Sequence, residues 1–228
     1  DVTRHADVLR VAADVRPDAI VNCAGYNDVD GAEDAAATAL EVNAFAVQSL
    51  ARSAREADAV LVHYSTDFVF EGDPTRTVPY AEDDHPNPQG MYGASKLLGE
   101  WLAGGAPRHY VFRLESLFGG LPPRSAVDRI IEALSAGRES RLFVDRVVSP
   151  SYVEDVVAAT VAALEGGIPF GVYHCVNAGS ATWVELGQEI ARLGGFDAAL
   201  LVPVKVADVA LKARRPQYCA LSGAKLAT

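Results

Sequence analysis

The chain has 228 residues, half of them apolar, which suits one domain, or one plus a small appendage, with a sizeable core. A formal net charge of −10 argues against nucleic-acid binding, which needs a concentrated basic face, and no apolar run approaches the ~18–20 residues of a membrane span. No signal peptide opens the chain, and Cys23, Cys175 and Cys219 are odd in number, far apart and outside any CxxC; they read as free thiols in a reducing cytoplasm rather than as zinc ligands or disulfides.

Helix and strand signals alternate from the start. Thr3 can cap a helix through Val15, which Pro17 then blocks. Ala19–Ala24 is a short apolar run of strand length, and residues 30–57 are helical by period, with Ala36, Leu40, Val47, Leu50 and Ala54 on one side. Val60–Ser65 and His109–Leu114 read as further strands, and Tyr92–Ala103 between them as a helix whose core stripe is Ala94, Leu97, Leu98, Trp101 and Leu102. Nearly continuous apolar strands separated by helices predict an α/β fold with a doubly wound, Rossmann-like parallel sheet over residues 1–115. Beyond it, a glycine- and proline-rich loop leads to a helix capped by Ser125 and an extended stretch, 141–148. Ser151 with Glu154, and Thr182 with Glu185, form capping-box patterns, each opening a helix that runs to a glycine pair. Gly171–Val176 is one more strand. Residues 116–228 thus read as a smaller, mainly substrate-binding α/β part, with 151–177 returning to the first sheet.

None of the 19 glycines forms the GxGxxG turn of a dinucleotide fold. Either the fold is of another kind, or its first βαβ unit lies before Asp1 and the sheet is incomplete at its N-terminal half, in which case residues 1–228 alone are expected to bind dinucleotide poorly.

Three stretches carry chemistry. In MYGASKLLGE, residues 91–100, Tyr92 and Lys96 lie one helical turn apart on one face, with small residues beside them where a ligand could lie close. The alternative is that Lys96 pairs with Glu100 and Tyr92 merely packs. In HYSTDFVF, residues 63–70, an apolar strand runs into Ser65, Thr66 and Asp67, at the carboxyl end where open α/β sheets bind ligands. In NCAGYNDVDGAE, residues 22–33, Ala24 and Gly25 are small residues at another strand end, open to a flat ligand. Asn43 falls within the apolar stripe of its helix, where a buried amide needs partners, and reads as a structural brace near the site.

Taken together, VNCAGY, STDFVF and YGASKLLGE resemble the extended short-chain dehydrogenases/reductases and, within them, the dTDP-4-dehydrorhamnose reductases and related nucleotide-sugar 4-ketoreductases. The resemblance runs from Asp1 to about Leu226. It implies reduction of a nucleotide-linked 4-keto sugar by NADPH or NADH. Tyr92 would be the general acid, and Lys96 would favour the phenolate and hold the nicotinamide ribose. Thr66 would offer its hydroxyl to the carbonyl, and Asp67 would bind sugar hydroxyls. Ala24, Gly25 and Tyr26 would line the cofactor, with Asp1 and Val2 beside the adenine. The chain departs from the family at RLES, residues 113–116, where these reductases carry RTSW, so Ser116 stands in place of a tryptophan that packs on the sugar. Phe68 replaces the glutamate of related dehydratases, so dehydration is not expected. Segment 124–146 holds five arginines against four acids, and Arg146 or a neighbour is expected to meet the substrate diphosphate. The expected partners are the nucleotide sugar and a second copy in a homodimer. The competing reading is a non-catalytic regulatory or binding subunit on the same fold.

Overall fold

In the computed structural model, residues 1–227 are described. The chain begins with α1 (His5–Val15) and β1 (Ala19–Asn22), then short helices α2 (Gly31–Asp34) and α3 (Ala36–Leu40), a π-helical turn (Glu41–Phe45) and α4 (Ala46–Glu56). Next come β2 (Val60–Thr66), α5 (Met91–Ala103) and β3 (His109–Leu114). The second half contains β4 (Leu117–Phe118), α6 (Ala126–Ser135), β5 (Ser140–Phe143), β6 (Val147–Val148), β7 (Ser151–Tyr152) and α7 (Val153–Leu164). It ends with β8 (Gly171–His174), β9 (Ala181–Thr182), α8 (Trp183–Gly194) and β10 (Leu201–Val204).

Four strands form one parallel sheet in the order β1-β2-β3-β8. Alternation along the inner strands feeds two cores. Leu61 and Val111 face Val47, Leu50, Ala54 and Ala103 of α4 and α5, whereas Val60, Val62, Tyr110 and Phe112 face Val156 and Ala163 of α7. With both faces covered, the strands have no polar side to present, which is why they read as unbroken apolar runs. β1 and β8 are the edge strands, and Val21 on β1 is exposed. The second half adds a parallel pair, β5 with β10, packed on α6 and α8 around Leu134, Leu142 and Trp183.

Four local expectations need correction. Residues 30–57 are not one helix but three: α2 and α3 are separated at Ala35, whose backbone leaves the helical region, and α3 and α4 are joined through the π turn, where the inward Asn43 bonds Tyr26 and Ser95. The first helix starts at His5 without a side-chain cap; Thr3 donates from its backbone N–H and its hydroxyl to Asp1 Oδ1. Ser151 caps nothing, because it pairs with Leu117 in a short ladder and α7 begins after Tyr152. The α5 stripe is rotated: Trp101 is 68% exposed, and Gly93, Ser95, Lys96, Gly99, Glu100 and Ala103 are buried with Leu97. The physical cause is close packing through glycine. A Cβ on Gly99 would sit 2.1 Å from the Asn43 carbonyl oxygen, and one on Gly93 would sit 2.2 Å from that of Phe68. The helix therefore lies with its small residues against the backbone of the π turn and of the segment after β2, and its bulky tryptophan points out. Thr182 with Glu185 does form a capping box, as does Ser125 with Asp128.

Candidate active site

A cleft of about 610 Å³ opens beyond the carboxyl ends of β1, β2 and β3, the edge at which parallel α/β sheets bind ligands. Thr66, Asp67, Tyr92 and Lys96 line it together with Ala24, Gly25 and Arg146. Thr66 ends β2 in extended backbone, and Tyr92 and Lys96 enter from the first turns of α5. Asn43 braces the opposite wall without lining it: its amide accepts from Tyr26 N–H at 2.8 Å and donates to Tyr26 C=O at 3.1 Å and to Ser95 Oγ at 2.9 Å. One buried side chain thus ties the loop after β1 to α5 across 17 and 52 residues of sequence. Asp1 and Val2 lie elsewhere, in a separate apolar groove with α1 and β1.

Burial pushes the Tyr92 hydroxyl up to about 12; the neighbouring Thr66 hydroxyl acts the other way, and the Asp67 carboxyl adds to the rise. The phenol therefore carries its proton at neutral pH. Lys96 is not ion-paired with Glu100; its ammonium donates to the Tyr64 carbonyl. Burial pushes Lys96 down to about 8, opposed by the Glu100 charge. Desolvation thus dominates at both groups, raising the phenol and lowering the ammonium.

Deeper in the cleft floor, Asp67, Glu115 and Cys219 place ligand-type atoms within 4.8 Å of one another. Arg146 supplies the balancing charge. Its Nε donates to the Pro216 carbonyl at 3.0 Å and its Nη2 to Cys219 Sγ at 3.7 Å, with the guanidinium 5.4 Å from the Phe68 ring centre. Burial raises the Asp67 carboxyl above the usual carboxylate range against the pull of Arg146. Glu115 is raised further by burial and by Asp67, while its Oε2 accepts from Ser149 N–H at 2.6 Å.

Residue-level reading of the sequence missed several neighbours. Glu115 sits beside Ser116 in RLES, where no local pattern marks its carboxyl as part of the cleft lining. Arg215, also in the cleft wall, is ion-paired with Asp30 at 2.7 Å, a contact across 185 residues that no local pattern signals. Arg129 lines the cleft from α6 and, among the described residues, its side chain has no hydrogen-bond or ion-pair partner. No helix among the described residues is long and apolar enough to cross a membrane.

Comparison with known proteins agrees with this geometry. The family model described as "RmlD substrate binding domain" matches residues 1–228. The chain is 36% identical over 228 residues to a dTDP-4-dehydrorhamnose reductase of Streptomyces griseus, spanning 97% of this chain and 74% of that protein. It is likewise 36% identical over 227 residues to the enzyme so named in Mycobacterium tuberculosis, spanning 97% of this chain and 73% of that protein. Among solved structures, dTDP-4-dehydrorhamnose reductase from Bacillus anthracis in complex with NADP superposes with a TM-score of 0.92 at 30% identity, over 98% of this chain and 78% of that one. With the sheet, the cleft and the full-length family match in agreement, the chain belongs to the RmlD substrate-binding-domain family, on the Rossmann-like fold of the extended short-chain dehydrogenases/reductases.

Proposed function

We propose that the protein reduces the keto group of a dTDP-linked 4-keto sugar, with NADPH or NADH as reductant. The observation that carries this reading is that Thr66, Tyr92 and Lys96, brought from β2 and α5, open on one cleft. Reduction needs a hydride at the carbonyl carbon and a proton at the carbonyl oxygen, and the nicotinamide supplies the hydride when bound. The residues present fit the nicotinamide end of such a cofactor, while residues 1–228 hold no glycine-rich turn for its diphosphate. Ala24 and Gly25 leave the backbone approachable on one wall, Tyr26 beside them is held by Asn43, and Lys96 faces the same space with an ammonium able to meet ribose hydroxyls.

The chain's own residues then do three things. The Tyr92 phenol, fully protonated at neutral pH, gives its proton to the carbonyl oxygen. The Thr66 hydroxyl, which donates to Asp67 Oδ1 at 3.0 Å and lines the same cleft, offers a second polar contact to the same oxygen. Asp67 lies beyond Thr66 in the floor, where it accepts from a sugar hydroxyl. Because the guanidinium of Arg146 is engaged with Pro216 and Cys219, Arg146 meets the diphosphate less directly than Arg129, and Arg129→Ala is expected to raise KM for the nucleotide sugar. In this reading residues 1–115 form the cofactor side and 116–228 mainly the substrate side, apart from about 151–177, which rejoin the first sheet. The free cysteines fit a cytoplasmic setting. The exposed Trp101 on α5 fits a homodimer, which sedimentation tests.

The test is turnover of a dTDP-4-keto-6-deoxy sugar by the full-length protein, read from loss of reduced nicotinamide absorbance. Tyr92→Phe is expected to lose about 10²–10⁴-fold in kcat, the usual worth of a positioned acid. A Tyr92→Phe protein as fast as wild type rules the reading out, and a stable hetero-complex without any turnover favours a binding subunit instead.

A further inference from the structure

The loop after β1, which brings Ala24 and Gly25 into the cleft wall, is fastened at both ends by amide side chains. Asn43 holds both backbone polar groups of Tyr26 at the far end. At the near end Asn22 Oδ1 accepts from Ala24 N–H at 3.1 Å. Asn22 closes β1 as the register partner of His63 on β2, so the two side chains stand on one face of the sheet. There Asn22 Nδ2 and His63 Nδ1 meet at 3.1 Å, and both residues are buried. His63 itself lies behind the wall, outside the cleft lining.

Hydrogen-bond chemistry leaves one arrangement of these groups. A backbone N–H only donates, so the Asn22 atom facing Ala24 is the carbonyl oxygen and the one facing His63 is the NH2 group. That NH2 can only donate, so His63 Nδ1 is a bare acceptor and the single proton of the ring lies on Nε2. Nε2 is buried with no hydrogen-bond partner among the described residues. It lies against α5 at Gly99, where an added Cβ would come within 3.2 Å of it. Burial, followed by the Lys96 charge, holds the imidazole well below its ordinary range, which keeps Nδ1 free of a proton. A proton on Nδ1 would set donor against donor at Asn22, and turning the amide to relieve this would set its NH2 against Ala24 N–H.

We propose that His63 is a positioning residue for the cofactor wall: its bare Nδ1 fixes the orientation of the Asn22 amide, and that amide fixes the Ala24–Gly25 backbone against which a flat ligand lies. Each link is a direct contact, from His63 to Asn22 across two strands and from Asn22 to Ala24 within the loop. The proposal rests on the ketoreductase reading only for the identity of that ligand, the nicotinamide cofactor.

The experiment is NMR of the full-length protein labelled with a nitrogen isotope, with neither cofactor nor substrate present. Long-range imidazole correlations read which ring nitrogen carries the proton, and amide exchange reads how firmly Ala24 N–H is held. His63 is expected as the Nε2–H tautomer. His63→Leu is expected to quicken Ala24 exchange about tenfold, the usual worth of one hydrogen bond. Asn22→Ala does the same, and the double variant does no more than either single one, because the two side chains act in series. His63→Asn, whose amide oxygen can stand where Nδ1 stands, restores most of the protection. With NADPH as probe, the loss in His63→Leu falls on the cofactor's Kd and KM rather than on kcat. A proton on His63 Nδ1 overturns the proposal, as does wild-type Ala24 exchange in His63→Leu. An equal rise at the buried Leu134 of α6 marks a general loss of stability and also overturns it. Should His63→Leu fail to fold, the wild-type tautomer decides. A protein with these results but no ketosugar turnover leaves the positioning role standing and removes the ketoreductase reading alone.

Discussion

Gly99→Ala is a one-methyl change with a large expected effect. The added Cβ would lie 2.1 Å from the Asn43 carbonyl oxygen and 3.2 Å from His63 Nε2. The first distance is at least about 1.3 Å short of ordinary van der Waals contact, and the obstructing atom is backbone, held in the π turn by the Asn43 bonds to Tyr26 and Ser95. Relief therefore requires α5 to move away by roughly 1 Å. Overpacking of this kind costs about 1–3 kcal/mol, outweighing the ~1 kcal/mol by which alanine exceeds glycine in helix propensity. The same shift carries Tyr92 and Lys96 away from Thr66, and a misplacement near 1 Å costs about 100-fold in rate. Urea unfolding measures the first quantity and steady-state ketosugar reduction the second. Gly120→Ala, at a glycine with nothing within 4 Å of an added Cβ, is the control and is expected to change stability by less than about 0.5 kcal/mol. A Gly99→Ala protein with wild-type stability and wild-type kcat refutes the claim that this contact sets the helix position.

Two further outcomes are expected. Asn43→Ala removes a side chain that satisfies both polar groups of Tyr26 and contacts Ser95; leaving those groups unpartnered costs roughly 2–3 kcal/mol, read as a lowered urea midpoint, and Asn43→Asp recovers only the acceptor half. Lys96 has a folded-state value of about 8 against an ordinary value of 10.5, so between those limits the unfolded chain binds more protons than the folded one. Stability therefore rises as pH increases from about 8 toward 10, the penalty of the buried charge being fully present below 8; Lys96→Met flattens that rise in unfolding measured across the same range, whereas an equal rise in both proteins contradicts it.

The amino-acid sequence by itself determined the alternation of strands and helices, because a sheet covered on both faces demands continuous apolar runs such as Val60–Val62 and Tyr110–Phe112. It also determined the local chemistry of Thr66, Tyr92 and Lys96, since residue type, strand end and one-turn spacing are all short-range properties. Tertiary structure alone decided what lies against them. The rotation of α5 follows from glycine-mediated contact with a π turn 50-odd residues earlier, so its buried face carries Lys96 and Glu100 and its tryptophan faces water. An apolar stripe could not reveal this, because the inward polar groups are balanced by Tyr64, Ser65 and Arg113 on other strands. Arg146 was legible as a cation near the site but not as the charge that offsets Asp67 and Glu115, and the Asp30–Arg215 pair was not legible at all. Periodicity reports how a segment meets the core as a whole, whereas charge balance in a buried site is a sum over residues distant in the chain, and only folding brings the terms of that sum together.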